Sequence, residues 1–486
     1  MKRARKDPVA SSLGAAIRAA YAAGQEDEAL EPIVKVRKDG TPAGRIGRGD
    51  AVIFYDIRGE REIEITRSLT DPAFSHFPVE RGLALRFATM IEYDAALGVG
   101  VAFPPEGRLR NTLVEVVSRA GLRVAKIAES EKAAHIGFFL NGKSDEVFPG
   151  EERIIVPSPE GLANYDERPE MSAALGRVAA AAEAAGARLV VTADHGTVEE
   201  WTYPDGTVNT GHTANPVPFI LADFSGPEGI AGLRPGGELA DVAPTVLDLL
   251  GLDPPAEMTG RSLILPPGAG RGGGRAVIVV VLDGWGLGDG GPGDLIAAAR
   301  TPHFDALGAR FPGAVLASSG EAVGMPPGTV GNSEAGHLHL GAGRRIFLDR
   351  VRIDRAIRDG SFRTNPVFRE IMAYARTAER PLHLMGIISH YSSHGAIDHL
   401  FALLDMAAAE GVGEVYVHGF IGRRGERPES GAIYVEKVEE ACRARGVGEV
   451  VTVLGRYWSL DREGNWDRVE KAYRALVDGE GTRVRR

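Results

Sequence analysis

Short runs of β-branched and apolar residues alternate with stretches of helical period along almost the whole chain. Strand candidates are DAVIFYDI (50–57), LRVAKIA (122–128), RLVVTA (188–193), AVIVVVL (276–282), LHLMGII (382–388), EVYVHGF (414–420) and EVVTVLG (449–455). Between them lie helix candidates such as SLGAAIRAAYAAG, NTLVEVVSRAG, HLFALLDMAAAEG, AIYVEKVEEACRARG and WDRVEKAYRALVDG, several closing on a glycine. This alternation predicts an α/β protein with mainly parallel sheets and crossover helices. The stretch LPPGAGRGGGR (265–275) breaks the pattern and reads as a linker joining two α/β blocks.

Length changes the picture first, because 486 residues exceed one ordinary core and predict two or three domains. With 44% hydrophobic and 25% charged residues, a sizeable buried core is expected. A net charge of −10 argues against a general nucleic-acid binder. The single cysteine, Cys442, excludes a disulfide framework and suits a reducing cytoplasm. The longest apolar run, 276–282, is far below the roughly 20 residues that a membrane helix needs. The basic start MKRARKDP leads into no apolar stretch and reads as a solvated tail. A cytoplasmic monomer acting on a small molecule is the expectation.

Candidate chemistry begins at VGNSEAGHLHLGAG (330–343), which sets Ser333 among glycines and reads as a flexible turn presenting a hydroxyl. Two apolar strands each end in an aspartate: VVVLDGWG supplies Asp283, and VVTADHG supplies Asp194 with His195. Side chains at the carboxyl ends of parallel strands converge where ligands bind. Two carboxylates, an imidazole and a hydroxyl suit Mn²⁺, Zn²⁺ or Mg²⁺, which would lower the serine pKa and neutralise a phosphoryl group. Taken singly, a strand-ending Asp-Gly is an ordinary turn. The stretch GHTANPVPF adds His212 to the set.

A second group is cationic. Arg58 and Arg61 follow a strand in YDIRGER, and Lys132 follows another in AESEK. His394, Arg424, Arg456 and Arg462 follow the strand candidates of the last third. Each alone is an ordinary surface charge, but their shared place past strand ends suits a small, doubly anionic ligand.

Together these residues resemble the cofactor-independent phosphoglycerate mutases of the alkaline-phosphatase-like superfamily, in swapped order. Residues 276–486 resemble that family's first portion, through DGWG, GNSEAGHLHLGAGR, HLMGIIS, VYVHGF and GRYWSLDREGNWDRVEKAY. Residues from about 12 to 264 resemble the rest, through DAVIFYDIRGER, FPGEERIIVPSP, TADHG and PAEMTGRSLI. The resemblance implies a circularly permuted chain. A phosphatase-like metal domain would span 107–347, with the linker inside it, and a phosphotransferase domain would be built from 1–106 and 348–486. It further implies a phosphoserine at Ser333 and a complete metal site of Asp283, Ser333, Asp194 and His195. His212 would be a ligand of a second metal. The substrate residues would be His394, Arg424, Arg456, Arg462, Arg58, Arg61 and Lys132. The metal would be Mn²⁺, with Zn²⁺ or Mg²⁺ next, and no 2,3-bisphosphoglycerate would be needed.

Departures from the family accompany the match. Its Asn-x-Asp-x-x-x-His turn, which completes the second metal site, is missing between PEMSA and TADHG. Its Asp-Gly-Arg-Asp becomes GRRG (422–425), placing Gly425 where a substrate-contacting aspartate stands. SHYSSHGA (389–396) keeps only the first serine and His394 of another motif. Three activities compete on this reading. The first is interconversion of 3- and 2-phosphoglycerate, the second is phosphomonoester hydrolysis, and the third is phosphoglycerate binding by a metal-depleted, weakly active or non-catalytic relative.

Overall fold

The computed structural model describes residues 12–158, 170–203, 206–209, 211–225, 230–271, 276–390, 394–422 and 429–485, with backbone alone at 170–173. The chain divides into two compact units, residues 1–105 with 352–486, and residues 106–351.

The first unit is organised on an eight-stranded sheet. Its order is Thr482–Arg485, Ile33–Val36, Glu449–Gly455, Val415–Ile421, Leu382–Ile387, Ala51–Phe54, Arg86–Ile91 and Gly100–Phe103. Every pairing is parallel except that between Ile33–Val36 and Glu449–Gly455. The central strands are mostly apolar because both faces are covered, and Ala51–Phe54 and Leu382–Ile387 are buried throughout, including His383, which pairs with His418 of the neighbouring strand. Helices such as Ile397–Glu410 and Gly431–Arg445 lie between consecutive strands, and each ends at a left-handed glycine. Several connections leave the carboxyl ends of parallel strands in this unit. Asp56 follows Ala51–Phe54, His394 follows Leu382–Ile387, and Arg456 follows Glu449–Gly455.

In the second unit a five-stranded sheet runs Gly237–Glu238, Gly313–Ala317, Val217–Asp223, Arg188–Ala193, Val277–Leu282. This sheet is mixed, since Val217–Asp223 is antiparallel to both of its neighbours. Its last two strands are parallel, in a register that sets Leu282 beside Ala193. The next residue on each strand is an aspartate, so the chain delivers Asp283 and Asp194 side by side. A parallel pair of Val124–Glu129 and Glu151–Val156 stands apart from this sheet and leads into Lys132.

One expectation is corrected here. The glycine-rich stretch at 330–343 is no flexible turn: residues Ser333–Ala342 form a helix, and Ser333 is its first residue, 9% exposed. Asn332 caps the helix, accepting the amide of Ala335 at 2.8 Å. The glycines serve packing, because a Cβ at Gly336 would stand 2.5 Å from the carbonyl oxygen of Asp194.

Candidate metal and anion sites

Ser333 Oγ lies 2.9 Å from His195 Nε2 and accepts a hydrogen bond from Lys132 Nζ at 3.2 Å. His195 Nε2 is also 3.3 Å from Asp283 Oδ1 and 3.7 Å from Asp194 Oδ2. Ligand atoms of Asp194, His195 and Asp283 all fall within 4.8 Å of one another. Lys132 Nζ pairs directly with the Asp283 carboxylate.

Asp194 Oδ1 accepts the amides of His195 at 3.0 Å and Gly284 at 3.3 Å. Its Oδ2 is buried without a hydrogen-bond partner. His337 Nδ1 lies 3.4 Å from Asp194 Oδ2 and 2.9 Å from the Ser333 carbonyl, and its contact helps to keep the Asp194 pKa low against burial. A buried carboxylate oxygen left in this way, beside a second carboxylate and an imidazole, has the chemistry of a divalent-cation ligand set. The residues present fit a metal ion. Burial opposes the charge on Asp283, yet the hydrogen bonds to His195 and Lys132 hold its carboxyl far below the usual range. Burial likewise opposes a charged His195, but Asp283 and Asp194 raise its pKa above the ordinary value.

His212 stands alongside this group. Its ring centroid is 4.1 Å from that of His195, and its Nδ1 lies 3.0 Å from Thr197 Oγ1. Burial and the neighbouring His195 push its pKa down. Among the described residues no second carboxylate–imidazole cluster forms around it. Its supposed partners would come from the interval where helix Glu170–Ala184 instead runs on to strand Arg188–Ala193.

Sequence reasoning missed the residue that braces this site. Glu199 is 2% exposed, accepts the amides of Thr197 at 2.8 Å and Gly286 at 3.0 Å, and takes hydrogen bonds from Thr213 and from Asn215 Nδ2, the latter at 3.0 Å. It ties the loop after Asp194 to the loop after Asp283 and to the segment carrying His212. In sequence it is one of two adjacent glutamates in TVEE, with nothing to mark it.

The remaining expected residues fall in the first unit, except Lys132 in the second unit and Arg424, which lies outside the described residues. Glu60 Oε1 accepts from Arg58 Nε at 2.8 Å and pairs with Arg462 Nη1 at 2.7 Å. Arg61 Nη1 donates to the Leu460 carbonyl at 3.1 Å, and Arg456 Nη2 meets Glu28 Oε1 at 2.7 Å. His394 Nδ1 is 3.1 Å from Glu62 Oε1. Burial, then the charges of Arg462 and Arg456, lower the pKa of Arg61. Cations crowded closely enough to repel one another make a receptor for an anion.

Residues 1–95 and 353–486 match the family described as BPG-independent PGAM N-terminus, and residues 171–254 match the metalloenzyme superfamily. The proteins named 2,3-bisphosphoglycerate-independent phosphoglycerate mutase from Moorella thermoacetica and Symbiobacterium thermophilum are each 47% identical over 207 residues. That of Desulforudis audaxviator is 47% identical over 208 residues. These alignments cover 43% of this chain and only 40% or 41% of the relatives' own length. A solved structure of Leishmania mexicana phosphoglycerate mutase at low cobalt concentration is similar over 47% of this chain and 53% of that one, at 25% identity and a TM-score of 0.27. Over residues 1–95 and 353–486 the chain is thus similar to the N-terminal part of the 2,3-bisphosphoglycerate-independent phosphoglycerate mutases, and over residues 171–254 to the metalloenzyme superfamily.

Proposed function

We propose that the protein interconverts 3-phosphoglycerate and 2-phosphoglycerate through a phosphoserine at Ser333. The observation that carries this reading is the setting of Ser333 Oγ, 2.9 Å from His195 Nε2 and 3.2 Å from Lys132 Nζ, beside a carboxylate pair suited to a cation. Asp194, Asp283, His195 and Ser333 would hold the metal, with Mn²⁺ favoured over Zn²⁺ and Mg²⁺. When bound, it supplies positive charge against the phosphoryl oxygens and lowers the pKa of the serine hydroxyl. Lys132 adds a cation at the same hydroxyl, and so favours an anionic group arriving there. Arg58, Arg61, Arg456 and Arg462, with Arg424, would hold the glyceric acid. His212 serves as an outlying imidazole, and no bisphosphoglycerate is required. The domain assignment follows: residues 107–347 form the phosphatase-like part, and 1–106 with 348–486 the phosphotransferase part, in a circularly permuted order. A cytoplasmic monomer completes the proposal.

The site around His212 favours one alternative, a weakly active or non-catalytic binder of phosphoglycerate. An enolase-coupled assay with metal-stripped controls, run on the parent and on Ser333→Ala, separates the readings. Metal-dependent interconversion that Ser333→Ala abolishes is expected. Tight phosphoglycerate binding without turnover would favour the binder, and release of inorganic phosphate a hydrolase.

A further inference from the structure

A buried carboxylate joins three segments around the cation site of the second unit. Glu199 lies in the single turn Val198–Glu200, just past Asp194 and His195, and is 2% exposed. Its Oε2 accepts the amides of Thr197 at 2.8 Å and Gly286 at 3.0 Å. A backbone N–H can only donate, so Oε2 carries no proton. Its Oε1 accepts from Asn215 Nδ2 at 3.0 Å and from the Thr213 hydroxyl. The same Asn215 Nδ2 reaches Glu200 Oε2 at 3.3 Å, and two carboxyl partners call for the NH₂ end of that amide. Thr213 Oγ1 in turn accepts the Asn215 amide at 3.4 Å, which leaves its hydrogen for Glu199. All four donors are uncharged. They come from the turn of Glu199 itself, from the loop after Asp283 and from the segment after His212.

The glycines of both strand-end loops make room for this carboxylate. Gly196, Gly286 and Gly288 do not lie in the left-handed region, so backbone freedom does not account for them. A Cβ at Gly286 would overlap Glu199 Cδ, one at Gly196 would overlap Glu199 Oε1, and one at Gly288 would stand 3.0 Å from Glu199 Cβ. Backbone bonds from Val198 to Gly284 and from Thr213 to Gly196 join the same segments pairwise, whereas Glu199 meets all three at once. We propose that Glu199 is a positioning residue: seated among these glycines, it holds the Asp194–His195 and Asp283 loops together before a divalent cation arrives. It thereby raises the affinity for that cation without being one of its ligands. The inference rests on the reading that Asp194, His195, Asp283 and Ser333 take the cation. Ligands already gathered need no ordering when the ion binds, and losing such an outer support costs about 10–100-fold in affinity. The support acts through acceptor oxygens. A glutamine still offers one oxygen to the two backbone amides, and Thr213 can turn its hydroxyl to accept from the new NH₂. An alanine offers nothing.

The test compares Glu199→Gln and Glu199→Ala with the parent, each as the full chain. Hydrogen exchange of the metal-free proteins reads the loops. Peptides holding the Thr197 and Gly286 amides should be protected in the parent and in Glu199→Gln, and should exchange faster in Glu199→Ala. Electron paramagnetic resonance of free Mn²⁺ reads the cation. Affinity should fall about 10–100-fold in Glu199→Ala, and Glu199→Gln should recover most of that loss. Gly286→Ala, whose Cβ displaces the carboxyl, should weaken Mn²⁺ binding too, yet add nothing in the Glu199→Ala background. Parental exchange or parental affinity in Glu199→Ala overturns the proposal. A Glu199→Gln protein as weak as Glu199→Ala also overturns it, because charge rather than position would then be at work. Should Glu199→Ala fail to fold, Gly286→Ala decides: a folded chain with parental Mn²⁺ affinity overturns the proposal. A parent that shows the expected exchange pattern yet takes up no Mn²⁺ would uphold the positioning and overturn the cation reading alone.

Discussion

Gly336→Ala sets two effects against each other inside the helix that carries Ser333. Replacing a helical glycine by alanine ordinarily stabilises by about 0.5–1 kcal/mol. Here the new Cβ would stand 2.5 Å from the Asp194 carbonyl oxygen and 2.7 Å from the Asp194 Cβ. Non-bonded carbons sit about 3.5–4.0 Å apart, so helix and strand end must separate by on the order of 1 Å. The obstacle is backbone and cannot swing aside. Overpacking of this kind costs roughly 1–3 kcal/mol, which exceeds the propensity gain and leaves a net loss of about 1–2 kcal/mol. Asp194 is itself an expected metal ligand, so the displacement falls on the site. Metal affinity should drop about 10-fold or more, in line with losses on disturbing ligand supports. Gly308→Ala is the control: its Cβ meets nothing nearer than Ile220 Cδ1 at 3.8 Å, and it should gain the propensity term. Urea denaturation reads the stabilities, and electron paramagnetic resonance of free Mn²⁺ reads the affinities. If Gly336→Ala matched the parent in both, the close approach of helix and strand would have no energetic weight and the account of these glycines would fail.

Two further outcomes follow. Mn²⁺ should saturate near one equivalent per chain, with Asp283→Asn weakening binding and His212→Ala barely altering it; two tight equivalents, one lost with His212, would point to an unrecognised second ligand set. Asp56→Asn should become more stable relative to the parent as pH rises, because burial lifts the folded Asp56 pKa. Such a raised carboxyl contributes stability below its unfolded value of about 4 and loses it on the way up to its folded value, at about 1.4 kcal/mol per pH unit. Denaturation curves at pH 5, 7 and 9 that run parallel for the two proteins would show that Asp56 is ionised when folded.

The strand-ending aspartates were legible because an apolar run closing on Asp carries both its structure and its chemistry in one stretch. What the sequence could not carry is the register of Leu282 beside Ala193, which makes neighbours of residues 89 positions apart. The stretch around Ser333 misled for a physical reason. Glycine frequency signals freedom in an unfolded chain, whereas here Asn332 starts a helix and Gly336 lets it press on the Asp194 strand. Glu62, Asp56 and Glu199 were illegible for the opposite reason. A carboxylate near a helix start reads as a solvated residue, and only three separate segments meeting around it make it buried. Lys132 was grouped with the arginines by its charge and its place after a strand, while the resemblance implied a place near the phosphoryl group. The structure sets it against Asp283 and Ser333, since the Val124–Glu129 strand belongs to the second unit.

Charge gives the last step. In the first unit, guanidiniums crowd together at Arg58, Arg61, Arg456 and Arg462; Arg58 and Arg462 share Glu60, Arg456 pairs with Glu28, and the charges of Arg462 and Arg456 lower the pKa of Arg61. In the second, Asp283 pairs with the Lys132 ammonium, and Asp194 and Asp283 both lie beside His195, whose pKa they raise. Self-contained ion pairs would have been the cheaper solution for folding, since an excess of like charge held together destabilises the compact state. A guanidinium cluster with charge to spare gains by taking an anion, and a carboxylate pair by taking a cation. A phosphorylated carboxylic acid together with a divalent metal ion supplies both.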